Sequence, residues 1–144
     1  MTDAKALVEE FCTLCAQLSM DYDLYYSLFE VDKQRLDFYS DLAPLFFGDI
    51  NRILIEQLIM QTCKITDPAK TGRNYNLTKN YVVEEISWPD AVRDELRQIN
   101  TRLMSFRKYV EPARSKRIAH IDLHAQIGIR ENLGGFPVCD VEPA

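Results

Sequence analysis

The chain has 144 residues, the size of one domain, and is long enough to bury a real core. Hydrophobic residues make up 47% and charged residues 27%, with only 5 Gly and 6 Pro, which excludes disordered, collagen-like and low-complexity chains. The formal net charge of −5 speaks against a surface that coats itself in nucleic acid or anionic lipid.

The first residues are acidic and amphipathic, without the basic start and apolar run of a signal peptide. The apolar-rich stretch from Ile53 to Met60 is broken by Glu56 and Gln57 and falls far short of the ~20 residues that span a bilayer. A cytoplasmic protein with no membrane segment is expected.

Helical periodicity dominates from the start. Leu7, Phe11, Leu14, Leu18, Tyr22, Tyr25 and Phe29 recur in steps of three and four, which predicts one long helix from Ala4 to Phe29. Cys12 and Cys15 lie inside this helix, three apart, with no second cysteine or histidine pair near by. They read as small buried hydrophobes in a reducing compartment rather than as a metal or redox pair. Asp32 opens a short second helix to about Ser40. Pro44 breaks or kinks the chain, and a third helix runs from about Leu45 to Ile65. That helix is apolar over a wide arc (Phe46, Phe47, Ile50, Ile53, Leu54, Leu58, Ile59, Met60), as expected of a central one.

Thr66-Asp67-Pro68 ends the third helix, and the Gly- and Asn-containing segment after it is turn chemistry. Asn76 or Thr78 caps a short helix to about Ile86. Ser87-Trp88-Pro89-Asp90 opens the last long helix, with Pro89 at a tolerated first position. Its stripe is Val92, Leu96, Ile99, Leu103, Phe106 and Val110. Pro112 interrupts it or starts a new helix, and Ala113 to His124 still reads as helical. No strand is convincing. The predicted fold is all-α: an up-and-down bundle of about four long helices plus one short helix over residues 1–127, with an irregular Gly- and Pro-containing tail over 128–144.

The chain lacks a G-x-S-x-G motif, a Gly-rich phosphate loop, an H-E-x-x-H motif and the Glu-x-x-His pairs of di-iron bundles. Its only two histidines, His120 and His124, lie four apart, but no third ligand accompanies them, so neither metal nor cofactor is expected. The charge is strongly polarised. The first 60 residues hold 4 basic and 11 acidic residues, whereas residues 102–117 carry Arg102, Arg107, Lys108, Arg114, Lys116 and Arg117 against Glu111 alone, a local +5. That strip ends three residues before His120. Arginine holds phosphate and stabilises charge developing on it, and an imidazole moves protons near neutral pH. The plainer alternative is a solvated helix face, with Arg114 paired to Asp122 or to an acid on another helix.

Arg114-Ser115-Lys116-Arg117-Ile118-Ala119-His120-Ile121-Asp122 resembles the signature of HEPN (higher eukaryote and prokaryote nucleotide-binding) domains, an Arg followed by four to six residues and a His on a helical bundle. The branch it most resembles is the abortive-infection AbiU type. Its motif runs Arg, Asn or Asp, Lys-Arg, any residue, Ala-His, any residue, Asp. Ile65-Thr66-Asp67-Pro68-Ala69 and Asn76-Leu77-Thr78 also fit that branch. The resemblance implies a metal-independent endoribonuclease of a phage-defence or toxin–antitoxin system, acting on RNA at the composite cleft of a homodimer. An antitoxin or another protein partner follows from the same resemblance. It assigns Arg114 to the scissile phosphate and His120 to general acid–base work. Lys116 and Arg117 become further phosphate contacts, alongside Arg107 of the basic strip, and Asp122 becomes an anchor by pairing with Arg or Lys. Ser115 stands where the family usually has Asn or Asp, and Asp122 where some HEPN toxins carry a Tyr that a partner modifies. The alternative the resemblance carries is a non-catalytic helical module that binds RNA, nucleotide or a partner protein.

Overall fold

The computed structural model describes residues 3–118, apart from the side chain of Arg117. Its helices are α1 (Ala4–Phe29), α2 (Lys33–Leu42), α3 (Pro44–Thr66), α4 (Lys79–Glu84) and α5 (Asp90–Ala113), followed by a π-helical turn, Arg114–Ile118. The all-α expectation holds, and the helix starts follow from their caps. The Asp3 carboxylate accepts from the Lys5 N–H at 3.0 Å, and that of Asp32 accepts from the Gln34 N–H at 2.9 Å. The Thr78 hydroxyl accepts from the Tyr81 N–H at 3.4 Å. Each satisfies a donor that the first helical turn leaves without an intrahelical partner. Pro44 stands at the first position of α3, where its missing N–H costs nothing.

α3 is the hub, packing against α1, α2, α4, α5 and the π-helical turn. Only its C-terminal half is central, however. Leu58, Ile59, Thr62, Cys63, Ile65 and Thr66 are buried, whereas Leu45 is 86% exposed and Phe46 61%. The core is a cluster of Ile59, Cys63, Val110 and Ala113, extended by Ile55, Phe106 and Ile118. On α1 the inward stripe drifts from the expected one: Leu7, Phe11, Cys15, Leu18, Tyr25 and Phe29 turn inward, while Leu14 and Tyr22 are exposed. Cys12 is exposed too, so of the pair only Cys15 is half-buried; burial, with Cys12 beside it, raises the Cys15 thiol pKa. No His, Cys, Asp and Glu cluster able to hold a metal occurs among the described residues.

Two further expectations are corrected. The segment after α3 holds a minimal antiparallel hairpin, β1 (Lys70–Thr71) and β2 (Asn74–Tyr75), pairing Lys70 with Tyr75 and Thr71 with Asn74. Strands of two residues are too short to give a periodic signal, so no strand was visible in the sequence. The turn is Gly72-Arg73, and Gly72 at φ +61° takes the left-handed conformation that a tight two-residue loop demands of its first residue. The other correction concerns Pro112. It neither interrupts α5 nor starts a helix but sits inside its last turn. Proline has no N–H to give the carbonyl four residues back, and the backbone widens into the π-helical turn directly after it.

A buried lysine lies beside this frame. Lys79, only 3% exposed, opens α4 and donates to the side-chain amide oxygen of Asn100 on α5. Burial, reinforced by the Arg107 charge, lowers its pKa from the usual value to about 8. Between that value and about 10.4 the unfolded chain holds a proton the folded chain has lost, so stability rises with pH across this window. The contribution of Lys79 to unfolding free energy is expected to climb by about 1–2 kcal/mol from pH 8 to pH 10, against the opposite contribution of the raised Cys15 and Cys63 thiols, and is read as the difference between the native chain and Lys79→Met in urea. Parallel pH profiles for the native chain and Lys79→Met would dismiss Lys79 as a source of pH dependence.

Candidate functional site

The site is built where the end of α3 meets the end of α5. α3 stops at Thr66, and Asp67 follows in an extended conformation. Its carboxylate points across to α5, where two arginines one heptad apart meet it. The first, Arg107, donates to Asp67 Oδ1 at 2.8 Å. Arg114 grips the same carboxylate with both arms of its fork, Nη1 to Oδ1 at 3.0 Å and Nη2 to Oδ2 at 3.4 Å. Arg107 also donates inward to the Cys63 carbonyl at 3.3 Å and the Thr66 hydroxyl at 3.2 Å, and outward to the exposed Glu111 at 3.3 Å. The Thr66 hydroxyl in turn donates to the Thr62 carbonyl at 2.7 Å, closing the network.

The two arginines have different roles by burial. Arg107 is only 7% exposed. Burial opposes its charge, but hydrogen bonds to Asp67 and Glu111 outweigh that and raise its pKa above the ordinary value. A guanidinium enclosed by four protein acceptors has no face left for a nucleic-acid phosphate. The expectation that Arg107 joins the phosphate contacts is therefore corrected: it lies beneath the site and ties α5 to the end of α3. The side chain of Arg114 keeps 29% of its surface open. It lines a cleft of about 650 Å³ together with Lys64, Asp67, Thr78 and the hairpin residues Thr71, Asn74, Tyr75 and Asn76.

The cleft wall is fixed from several sides. The Asn76 side-chain amide donates to the Pro68 carbonyl at 3.0 Å and to the Thr71 hydroxyl at 2.9 Å. The Asn80 amide donates to the Asp67 carbonyl at 3.1 Å. These bonds tie the hairpin and α4 to the turn that presents Asp67. Cys63 lies at the base of the network, with its thiol pKa raised by burial although Arg107 and Arg114 pull it down.

Of the other expected site residues, Ser115 is exposed and turns back on its own helix, donating to the Glu111 carbonyl at 2.9 Å. Lys116 is half-buried in the π-helical turn. The side chain of Arg117, and all of His120, Asp122 and His124, lie outside the described residues, as does the tail from residue 128. Among the described residues the partner of Arg114 is an acid on another element, Asp67. Asp67, Lys64 and the hairpin are the parts of the site that sequence reading did not select. The Thr-Asp-Pro turn marks Asp67 in the sequence as a helix stop and as part of the family resemblance, but carries no sign that its carboxylate meets Arg107 and Arg114.

Among the described residues no helix is long and apolar enough to cross a membrane. No curated protein and no solved structure matches the chain. The family model HEPN_AbiU2, described as AbiU2, matches residues 1–133, a span that takes in every element of the fold and the whole Arg-to-His segment. With its helical bundle and with Arg114 presented at an open cleft, the chain belongs to the AbiU2 family of HEPN-like domains, an abortive-infection module.

Proposed function

We propose that this protein is a metal-independent endoribonuclease of a phage-defence or toxin–antitoxin type system, acting in the cytoplasm, with Arg114 on the scissile phosphate and His120 as the general acid–base. The observation that carries this reading is Arg114 itself. It is an arginine fork held by a carboxylate at the mouth of a cleft rimmed by Lys64 and the basic hairpin. A phosphate reaching the cleft would take over this fork from Asp67, exchanging one bidentate acceptor for another. A histidine six residues on supplies what such chemistry still needs, a group that takes the proton of the 2′-hydroxyl and returns one to the leaving 5′-oxygen. Lys116 and Arg117 serve as further phosphate contacts, and Asp122 as the anchor of the motif.

A homodimer is the proposed working form. What supports it is that Leu42, Leu45, Phe46 and Phe38, on α2 and the start of α3, leave between 57% and 86% of their surface exposed, large apolar side chains that a second copy could cover. Light scattering is expected to give the mass of two chains, and a single-chain mass would remove the composite cleft from the proposal. The decisive assay is cleavage of structured and single-stranded RNA in excess EDTA. Cleavage that persists under chelation is the expected result; cleavage that stops with EDTA and returns with a divalent ion would overturn the metal-free mechanism. A second reading, a non-catalytic module that binds RNA, nucleotide or a protein partner, draws on the Asp67 pairing, which already occupies the Arg114 fork. It predicts salt-sensitive RNA binding without cleavage.

A further inference from the structure

The hairpin has no role in the chemistry just described, yet it forms one wall of the cleft. Tyr75 on β2 lines that cleft and is 61% exposed, far more than a ring needed for packing. Its position is nonetheless fixed. Tyr81 meets it at 80° with ring centroids 5.9 Å apart, and the Lys70 ammonium stands 5.3 Å from its centroid. The tight Gly72-Arg73 turn holds the strand that carries it. Lys70 stands at this ring, and Lys64 and Arg114 line the same cleft, with Asp67, already occupied by two guanidiniums, as its acid.

An exposed, immobilised aromatic ring beside several cations is the arrangement that receives an unpaired nucleotide: the base stacks on the ring and the flanking phosphates meet the cations. The cleft volume, about 650 Å³, falls within the range of about 300–1,000 Å³ usual for ligand sites. We propose that the hairpin is the substrate-reading arm of this protein: Tyr75 stacks an unpaired RNA base while Lys64 and Arg114 receive the phosphates on either side of it. A base on the ring competes with Lys70 for that face and leaves the displaced ammonium beside the sugar–phosphate chain. The substrate class is therefore single-stranded RNA or an RNA loop, because a base inside a duplex has no free face to offer. This inference rests on the reading of the cleft as an RNA site.

The test is fluorescence anisotropy of the full-length chain with a short labelled single-stranded RNA, 2′-O-methylated so that it is not cut, the same RNA carrying abasic sites, and a blunt duplex. The single strand should bind at least tenfold more tightly than the abasic strand or the duplex, a loss typical of one stacked base. Tyr75→Ala should weaken single-strand binding about tenfold, and Tyr75→Phe, which keeps the ring, should stay within about twofold of the native chain. Lys64→Ala should lower the slope of log affinity against log salt by about one. If the native chain binds all three RNAs equally, or if Tyr75→Ala binds as the native chain does while Arg114→Ala weakens, the hairpin proposal is overturned and the RNA site stands. If the native chain binds no RNA, both are overturned. The abasic comparison uses only the native chain, so a folding defect in a variant cannot mask the answer.

Discussion

Asp67→Ala is expected to lower the free energy of unfolding by about 3–5 kcal/mol, read as a large drop in the urea midpoint. The reason is the fate of Arg107 rather than the loss of an attraction. With Asp67 present, its buried guanidinium donates to a carboxylate at 2.8 Å; without it, the charge remains buried with Glu111, which is 51% exposed, as its remaining acid. Leaving a buried charge uncompensated costs more than the pair gains when intact. The same logic makes the double variant informative. Asp67→Ala combined with Arg107→Met removes charge and partner together, and should recover much of the loss, because contacting groups do not add independently. A single-variant loss under about 1 kcal/mol would show that Arg107 does not depend on Asp67.

His120→Ala and Arg114→Ala are each expected to reduce RNA cleavage by about 10²–10⁴-fold, the usual contribution of one positioned acid–base group or one charge-stabilising donor. Arg114→Lys should rescue little, since an ammonium cannot present two parallel donors to one phosphate. The stability of these variants separates this role from that of Arg107. Arg114 is partly open and Asp67 keeps Arg107 after its removal, so Arg114→Ala should change unfolding free energy by only about 1 kcal/mol. Cleavage undiminished in His120→Ala would remove the histidine from the mechanism and favour the non-catalytic reading.

How far the sequence reached this site is clearest along α5. Its apolar stripe predicts that Val92 and Ile99 face the bundle, but they are 38% and 52% exposed. The inward row beside that stripe is polar: Arg93, Asn100, Arg107 and Arg114, each seven residues from the next. Every member has a hydrogen-bond partner outside α5: the Trp88 carbonyl, Asn80 and Lys79, the end of α3, and Asp67. Hydrophobic periodicity locates only the greasy part of a helix face, so a hydrogen-bonded seam of this kind reads as solvent-facing charge. In the sequence Arg107 therefore looks no different from the surface cations around it. The helix starts were legible because caps are local: Asp32 and Thr78 act within three residues of themselves. The convergence of Lys64, Asp67, Tyr75 and Arg114 was not, because it depends on how α3, the hairpin and the end of α5 come together.

The shared carboxylate has a thermodynamic consequence. Asp67 carries two guanidiniums, and only one of them holds the fold together. An anion that draws Arg114 away therefore exchanges one partner for another without disturbing the anchor, and its affinity is not reduced by having to melt part of the bundle. Ligand binding and folding are then coupled only through mass action, as RT ln(1 + [L]/Kd). The site works as an exchange point seated on a permanent joint, with Arg107 as the joint and Arg114 as the hand that changes partners.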